Sequence, residues 1–349
     1  MNVRLPQELF EQVRSADAIE ALGRIRTLRV AVVGESILDE YAYCAQVGKS
    51  GKEAMLVMRL RDVEVQAGGS LAIANHIAEL CDDVTLYSTL GELDRREEFV
   101  RSALKPNVAT RFATTRGLPT IVKRRYVDEY SMAKLFGVYH MSENGVDDHA
   151  AELELLPLLD RELASFDVVV VADYGHGLIT PTMARTLQRE ARFLALNTQL
   201  NAANAGYLTL SKYDRASFAC LHEGELRLDA RDLRTPRDEL MIRARQRLGS
   251  VALLVTLGRN GTALVDAHDR VHHCPSLADN VVERVGAGDA VLSVSSLAVA
   301  AGVDPPLVGV LGNLAGAQAV QTVGNRSSIS GERLRSELLE LLAPRSATA

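Results

Sequence analysis

An aspartate that directly follows Gly286-Ala287-Gly288 is the residue best placed to do chemistry in this chain. The strand-like run 270–274 and the polar turn Ala278-Asp279-Asn280 precede it, and an apolar helical pattern, residues 290–301, follows. Gly286, Ala287, Gly288 and Asp289 therefore sit where a loop becomes a helix. Small residues there let backbone N–H groups approach an anion, and a helix N-terminus adds partial positive charge. An aspartate in a first helical turn is also an ordinary helix start. Taken alone, the tetrapeptide leaves both readings open.

Three other stretches could supply ligands. Asp39 falls just past the buried-strand pattern of residues 29–34, where open α/β sheets bind ligands. It reads as a sugar-hydroxyl acceptor or as a turn aspartate. Gly68-Gly69 precedes a helical run, which suits close backbone approach to a ligand or simple strand-to-helix packing. Thr256, Gly258 and Gly261 mark a strand end and a glycine turn, a potential nucleotide edge. No G-x-G-x-x-G follows Gly34, so a Rossmann dinucleotide site is poorly supported.

These residues need a frame. Strand-like runs at 84–88, 168–172, 193–196, 217–221 and 251–256 alternate with helical runs at 95–104, 150–163, 182–192 and 237–248. Two more helices are expected at 306–320 and 331–342. The alternation predicts an α/β fold with a mainly parallel sheet covered on both faces. Residues 6–26, with Pro6 in a first turn, read as an N-terminal helical extension. Residues 55–65 and 120–139 read as exposed strands off the main sheet, together a small lid.

Bulk properties narrow the class. The chain has 349 residues, 47% hydrophobic and 24% charged, an ordinary globular composition. A net charge of -6 argues against nucleic acid as a partner. Four scattered cysteines without C-x-x-C spacing fit reduced cytosolic thiols, and no run spans a bilayer or forms a signal peptide. A cytoplasmic protein without membrane contact is expected.

In order along the chain, Gly34…Asp39, Gly68-Gly69, Asp173-Tyr174-Gly175, Thr256-Leu257-Gly258…Gly261 and Gly286-Ala287-Gly288-Asp289 resemble the ribokinase-like carbohydrate kinases, the phosphofructokinase-B superfamily. Within it the chain is most similar to the bacterial D-glycero-D-manno-heptose-7-phosphate kinase domains. Leu38-Asp39-Glu40-Tyr41 and Pro119-Thr120-Ile121-Val122-Lys123-Arg124-Arg125 carry that similarity, as do Lys49 and Glu53. The resemblance implies a three-layer α/β/α fold with a small β lid. It places an extension at 1–27, a kinase domain at 28–340 with lid strands near 42–67 and 119–140, and a tail at 341–349.

It further implies an ATP-dependent sugar or sugar-phosphate kinase. Asp289 would be the general base, and the backbone of Gly286, Ala287, Gly288 and Asp289 the anion hole. Asp39, Gly68 and Gly69 would orient the sugar, and Lys49, Lys123 and Arg125 would meet a substrate phosphate or remain solvated charge. Thr256, Gly258, Gly261 and Asn313 would flank ATP, and Glu225 would serve Mg²⁺. A monovalent cation is a further option. Lids in this family often pair, which implies a homodimer.

The chain also departs from the family. Glu283-Arg284-Val285 stands where Asp-Thr-x is usual; Arg284 could pair with Glu283 or touch a phosphate. Ala72 replaces an asparagine, His222 replaces the asparagine of Asn-x-x-Glu, and Gln199 and His176 replace lysines. These changes leave a second reading, a catalytically weak or inactive relative that binds a sugar phosphate or nucleotide. A nucleoside or hydroxymethylpyrimidine kinase is a third, which an aromatic content of 5% does not encourage.

Overall fold

The computed structural model describes Leu5, residues 9–10, Val13, and residues 15–142, 149–204 and 206–343. Pro6 and residues 344–349, read above as a helix start and part of a tail, lie outside the described residues. Nine strands form the main sheet. From edge to edge they are β13 (Val271–Cys274), β12 (Thr262–Asp266), β11 (Ala252–Thr256), β10 (Phe218–His222), β9 (Leu194–Thr198), β8 (Val168–Asp173), β1 (Arg29–Gly34), β4 (Asp83–Gly91) and β5 (Val108–Thr115). Neighbours run parallel except where β12 meets β11 and β13.

Helices cover both faces, so the central strands read as continuous apolar runs. Val30 and Val32 of β1 face one core and Ala31 and Val33 the other. The first core is closed by α1 (Ser15–Arg26), α2 (Ser70–Ala78), α8 (Ala287–Ala300), α9 (Pro305–Ala319) and α10 (Gly331–Leu341), with α3 (Glu97–Ala103) at its edge. The second is closed by α4 (His149–Glu162), α5 (Pro181–Glu190), α6 (Glu223–Ala230) and α7 (Arg237–Leu248). Chain order reverses at β1, which pairs with β8 on one side and β4 on the other. Such a switch point opens a crevice beyond the strands' carboxyl ends.

A second, four-stranded sheet stands off the first, in the order β3-β2-β6-β7. It is built from β2 (Ser36–Lys49), β3 (Leu56–Gly69), β6 (Ile121–Asp128) and β7 (Lys134–His140). The chain passes from β1 into β2 with only Glu35 between them. Asp39 therefore lies inside a strand, not in a loop beyond one. The first half of β2 is buried and the second half is exposed, so it follows no single hydrophobic period. Glu40 is buried within it because Arg96 and Arg124 neutralise it at 3.0 and 2.6 Å.

Candidate active site

The loop before α8 ends in Gly286, whose φ of 84° is left-handed. A Cβ there would also lie 2.2 Å from the Asn325 side-chain oxygen, so glycine is required twice over. No side chain caps the helix among the described residues. The N–H groups of Gly288 and Asp289 find no acceptor among the described residues. Burial of Val291, Leu292, Val294 and Leu297 fixes the helix, each contributing about 1.5–3 kcal/mol. The open amides are thereby held in place.

Two cavities meet at this helix start. One, about 380 Å³, is lined by Thr256, Gly258, Gly261, Asn313, Glu225 and the Ala287–Asp289 turn, among others. The other, about 300 Å³, is lined by Asp39, Gly69, Lys123, Arg125, Tyr174 and Asn325, among others. Gly288, Asp289, Arg284 and Gln199 line both. The Asp289 carboxylate thus stands between a larger chamber and a smaller one that contains Asp39. A Cβ on Gly288 would meet nothing within 4 Å, so the fold itself does not demand glycine there.

Asp289 accepts a hydrogen bond from the Tyr174 hydroxyl at 2.9 Å on Oδ1. Burial and the nearby carboxylates of Asp39 and Glu225 push its pKa up to about 7, against the Tyr174 bond and the Lys123 charge. A carboxyl balanced near neutrality can take and release a proton at working pH. The Tyr174 backbone is held by buried Glu35, which accepts its N–H at 3.2 Å and that of His176 at 3.1 Å.

In the smaller cavity Asp39 accepts from Arg125 at 2.6 Å and from Asn325 at 3.2 Å. A carboxylate offers about four lone-pair positions, so acceptor capacity remains for a ligand. Gly68 is needed beside it, because a Cβ would lie 2.2 Å from Asp39 Oδ2. Lys123 is buried with its ammonium near the Tyr139 and Tyr174 rings, and that burial holds its pKa below the usual lysine value. Lys49 is elsewhere. It pairs with Leu56 at the exposed far end of β2 and is not among the cavity residues.

In the larger cavity Asn313 donates to Thr262 Oγ1 at 2.7 Å and the Gly309 carbonyl at 3.1 Å. Glu225 accepts the N–H groups of His222 at 2.7 Å and Leu200 at 3.0 Å, and burial raises its pKa. His222 Nδ1 in turn accepts the Gly224 N–H at 3.1 Å, completing a capping box on α6. Histidine thus keeps the cap at this position. No cluster of three metal-ligating side chains exists among the described residues. Mg²⁺ commonly uses one or two carboxylates plus substrate phosphates, so one cavity-facing carboxylate fits.

Glu283 accepts from three donors, Lys134, the Tyr41 hydroxyl at 3.2 Å and the Gly324 N–H at 3.1 Å. It braces the loop before Gly286 and makes no pair with Arg284 among the described residues. His176 is buried with neither ring nitrogen bonded among the described residues, and burial pushes its pKa down to about 3. It is neutral at ordinary pH. Asp173-Tyr174-Gly175 resembles the family in sequence, but that resemblance assigns no role to Tyr174, and Asn325 is not singled out by it. Only the fold brings residue 325 beside residue 39.

A carboxylate poised near neutrality, beside open helix-start amides and between two chambers, is arranged for transfer of an anionic group. Residues 27–331 match the description "pfkB family carbohydrate kinase". The chain belongs to this family of carbohydrate kinases. It is a phosphotransferase acting on a sugar or sugar phosphate. Among similar proteins is the bifunctional protein HldE of Koribacter versatilis, 31% identical over 341 residues, covering 90% of this chain and 67% of that protein. The bifunctional protein HldE of Azotobacter vinelandii is 29% identical, covering 88% and 62%. This chain therefore spans about two thirds of the length of those relatives. Solved structures share the fold. Escherichia coli phosphofructokinase-2, in complex with substrates and products, has a TM-score of 0.70 at 16% identity, covering 89% of this chain and 99% of that one. Arabidopsis thaliana ribokinase, complexed with ribose and ATP, has a TM-score of 0.63 at 18% identity, covering 91% and 100%. Among the described residues no helix is long and apolar enough to cross a membrane.

Proposed function

We propose that the protein moves the γ-phosphoryl group of ATP to a hydroxyl of a sugar phosphate resembling heptose 7-phosphate. The observation that carries this is Asp289 at the boundary of two chambers, beside the unsatisfied amides of its own helix start. The larger chamber takes the nucleotide, flanked by Thr256, Gly258, Gly261 and Asn313. The smaller takes the sugar, with Asp39 and the Gly68-Gly69 end of β3 orienting hydroxyls and Lys123 and Arg125 facing a substrate phosphate. Asp289 draws the proton from the attacking hydroxyl, and the Gly288 and Asp289 N–H groups receive charge on the phosphoryl oxygens. Mg²⁺, held at Glu225, would neutralise charge on the nucleotide phosphates.

An ADP-release assay over C5 to C7 sugars and their phosphates tests the proposal. ADP release with at least one sugar phosphate is expected. Release with none, although nucleotide binds, would favour the reading of an inactive sugar-phosphate-binding relative. That second reading draws on the neutral Gln199 and His176 and on Ala72.

The pH profile offers a sharper check. Asp289 acts as base only when ionised, so kcat/KM falls as pH drops through about 7. The Tyr174 hydroxyl stabilises the ionised form. Tyr174→Phe is therefore expected to move the acid limb to higher pH; a limb that stays in place would separate it from Asp289.

We further propose a homodimer through the lid. Its outer half exposes Leu60 (55%) and Phe136 (57%), and β3 and β7 are edge strands that need covering. Light scattering on the purified protein is expected to give twice the chain mass, and Leu60→Asp with Phe136→Asp the single-chain mass. A monomeric wild type at micromolar concentration would contradict this.

A further inference from the structure

We infer that Arg284 is the cation that accompanies the phosphoryl group from nucleotide to sugar, an inference that rests on the kinase reading above. The walls of the two chambers carry the carboxylates of Asp289, Asp39 and Glu225. A polyphosphate entering there meets like charge and needs a mobile counter-charge. Most nearby cations are committed. Arg125 is bonded to Asp39, Lys212 to Asp173, and Lys134 to Glu283. Lys123 is buried on the sugar side, near the Tyr139 and Tyr174 rings. The nucleotide chamber has two arginines in its wall, Arg259 and Arg284. Only Arg284 also lines the sugar chamber.

Its side chain is exposed and has no partner among the described residues. The carboxylate next to it in sequence, Glu283, is engaged by Lys134, Tyr41 and the Gly324 N–H. The guanidinium is therefore free to swing. It stands two residues before Gly286, so its backbone is fixed by the same loop that sets the open amides. Arginine presents planar paired donors that fit phosphate oxygens and is weakly hydrated, which suits a group that must leave water repeatedly. The amides hold the phosphoryl group from one side, and Arg284 closes on it from the solvent side. Arginines that meet transferred phosphoryl groups raise rates by large factors.

The test uses Arg284→Gln and Arg284→Lys with two readouts. Calorimetry compares ADP with β,γ-imido-ATP, each with Mg²⁺. Wild type should prefer the triphosphate, and Arg284→Gln should lose about tenfold of that preference while ADP affinity stays within twofold. Steady-state kinetics should show kcat reduced roughly 100-fold in Arg284→Gln, with part of it restored in Arg284→Lys. An unchanged preference together with an unchanged kcat would overturn the role of Arg284 and leave the kinase reading intact. Wild type that binds no nucleotide would overturn both, and would show this without any variant. The exposed, unpartnered side chain leaves folding out of the comparison, which an unchanged melting temperature verifies.

Discussion

Asp289→Asn is expected to lower kcat by about 10²–10⁴-fold, the usual contribution of a positioned general base. Asparagine keeps the size of the side chain and can still accept from the Tyr174 hydroxyl, so the helix start should hold its shape. Affinity for ATP·Mg²⁺ should stay within a few-fold, because Thr256, Gly258, Gly261, Asn313 and the other residues lining the nucleotide chamber are left unchanged. Removing a carboxylate beside Asp39 and Glu225 also relieves like-charge repulsion. Stability should therefore rise slightly or stay unchanged. A fall in kcat without loss of stability or nucleotide binding separates a chemical role from a structural one.

Gly288→Ala is expected to have the next largest effect, with stability and activity moving apart. No backbone strain opposes alanine, since Gly288 is not among the residues of positive φ. The added Cβ meets nothing within 4 Å, and alanine favours a helix over glycine by as much as about 1 kcal/mol. Melting temperature should hold or rise. Yet Gly288 lines both chambers, where a methyl group would hold the phosphoryl oxygens away from the amides. Loss of one such donor costs roughly 10²–10³-fold in rate. Wild-type kcat in Gly288→Ala would mean that the phosphoryl group does not pass there.

The frame was legible wherever a buried strand or helix obeyed one period. The all-apolar stretches of β1 and β8, and the span of α7 over residues 237–248, stood out for that reason. β2 did not, because its first half is buried on both faces with Asp39 and Glu40 inside, and its second half is solvated. Its carboxylates are tolerated only through Arg96, Arg124, Arg125 and Asn325, partners remote in sequence. β5 has only two fully buried positions in its eight residues, β12 is short, and α6 is an eight-residue helix opened by a histidine cap. None of these carries a strong local signal. At the site, glycine spacing marked the helix start before α8 and the glycine pair before α2. It could not mark Tyr174, whose value lies in one hydroxyl placed 2.9 Å from Asp289. Nor could it place Lys49, which lies at the lid tip outside the chamber of Asp39.

Whether nucleotide and sugar phosphate bind at the same time is the most direct question to put to two chambers sharing one carboxylate. Asp289→Asn, slowed in turnover, allows both to be titrated at equilibrium. Calorimetry of the sugar phosphate should give an affinity within a few-fold with and without saturating ATP·Mg²⁺, and no appreciable ADP should form during the titration. Mutual exclusion of the two ligands, or ADP formation at the wild-type rate, would contradict a transfer across Asp289.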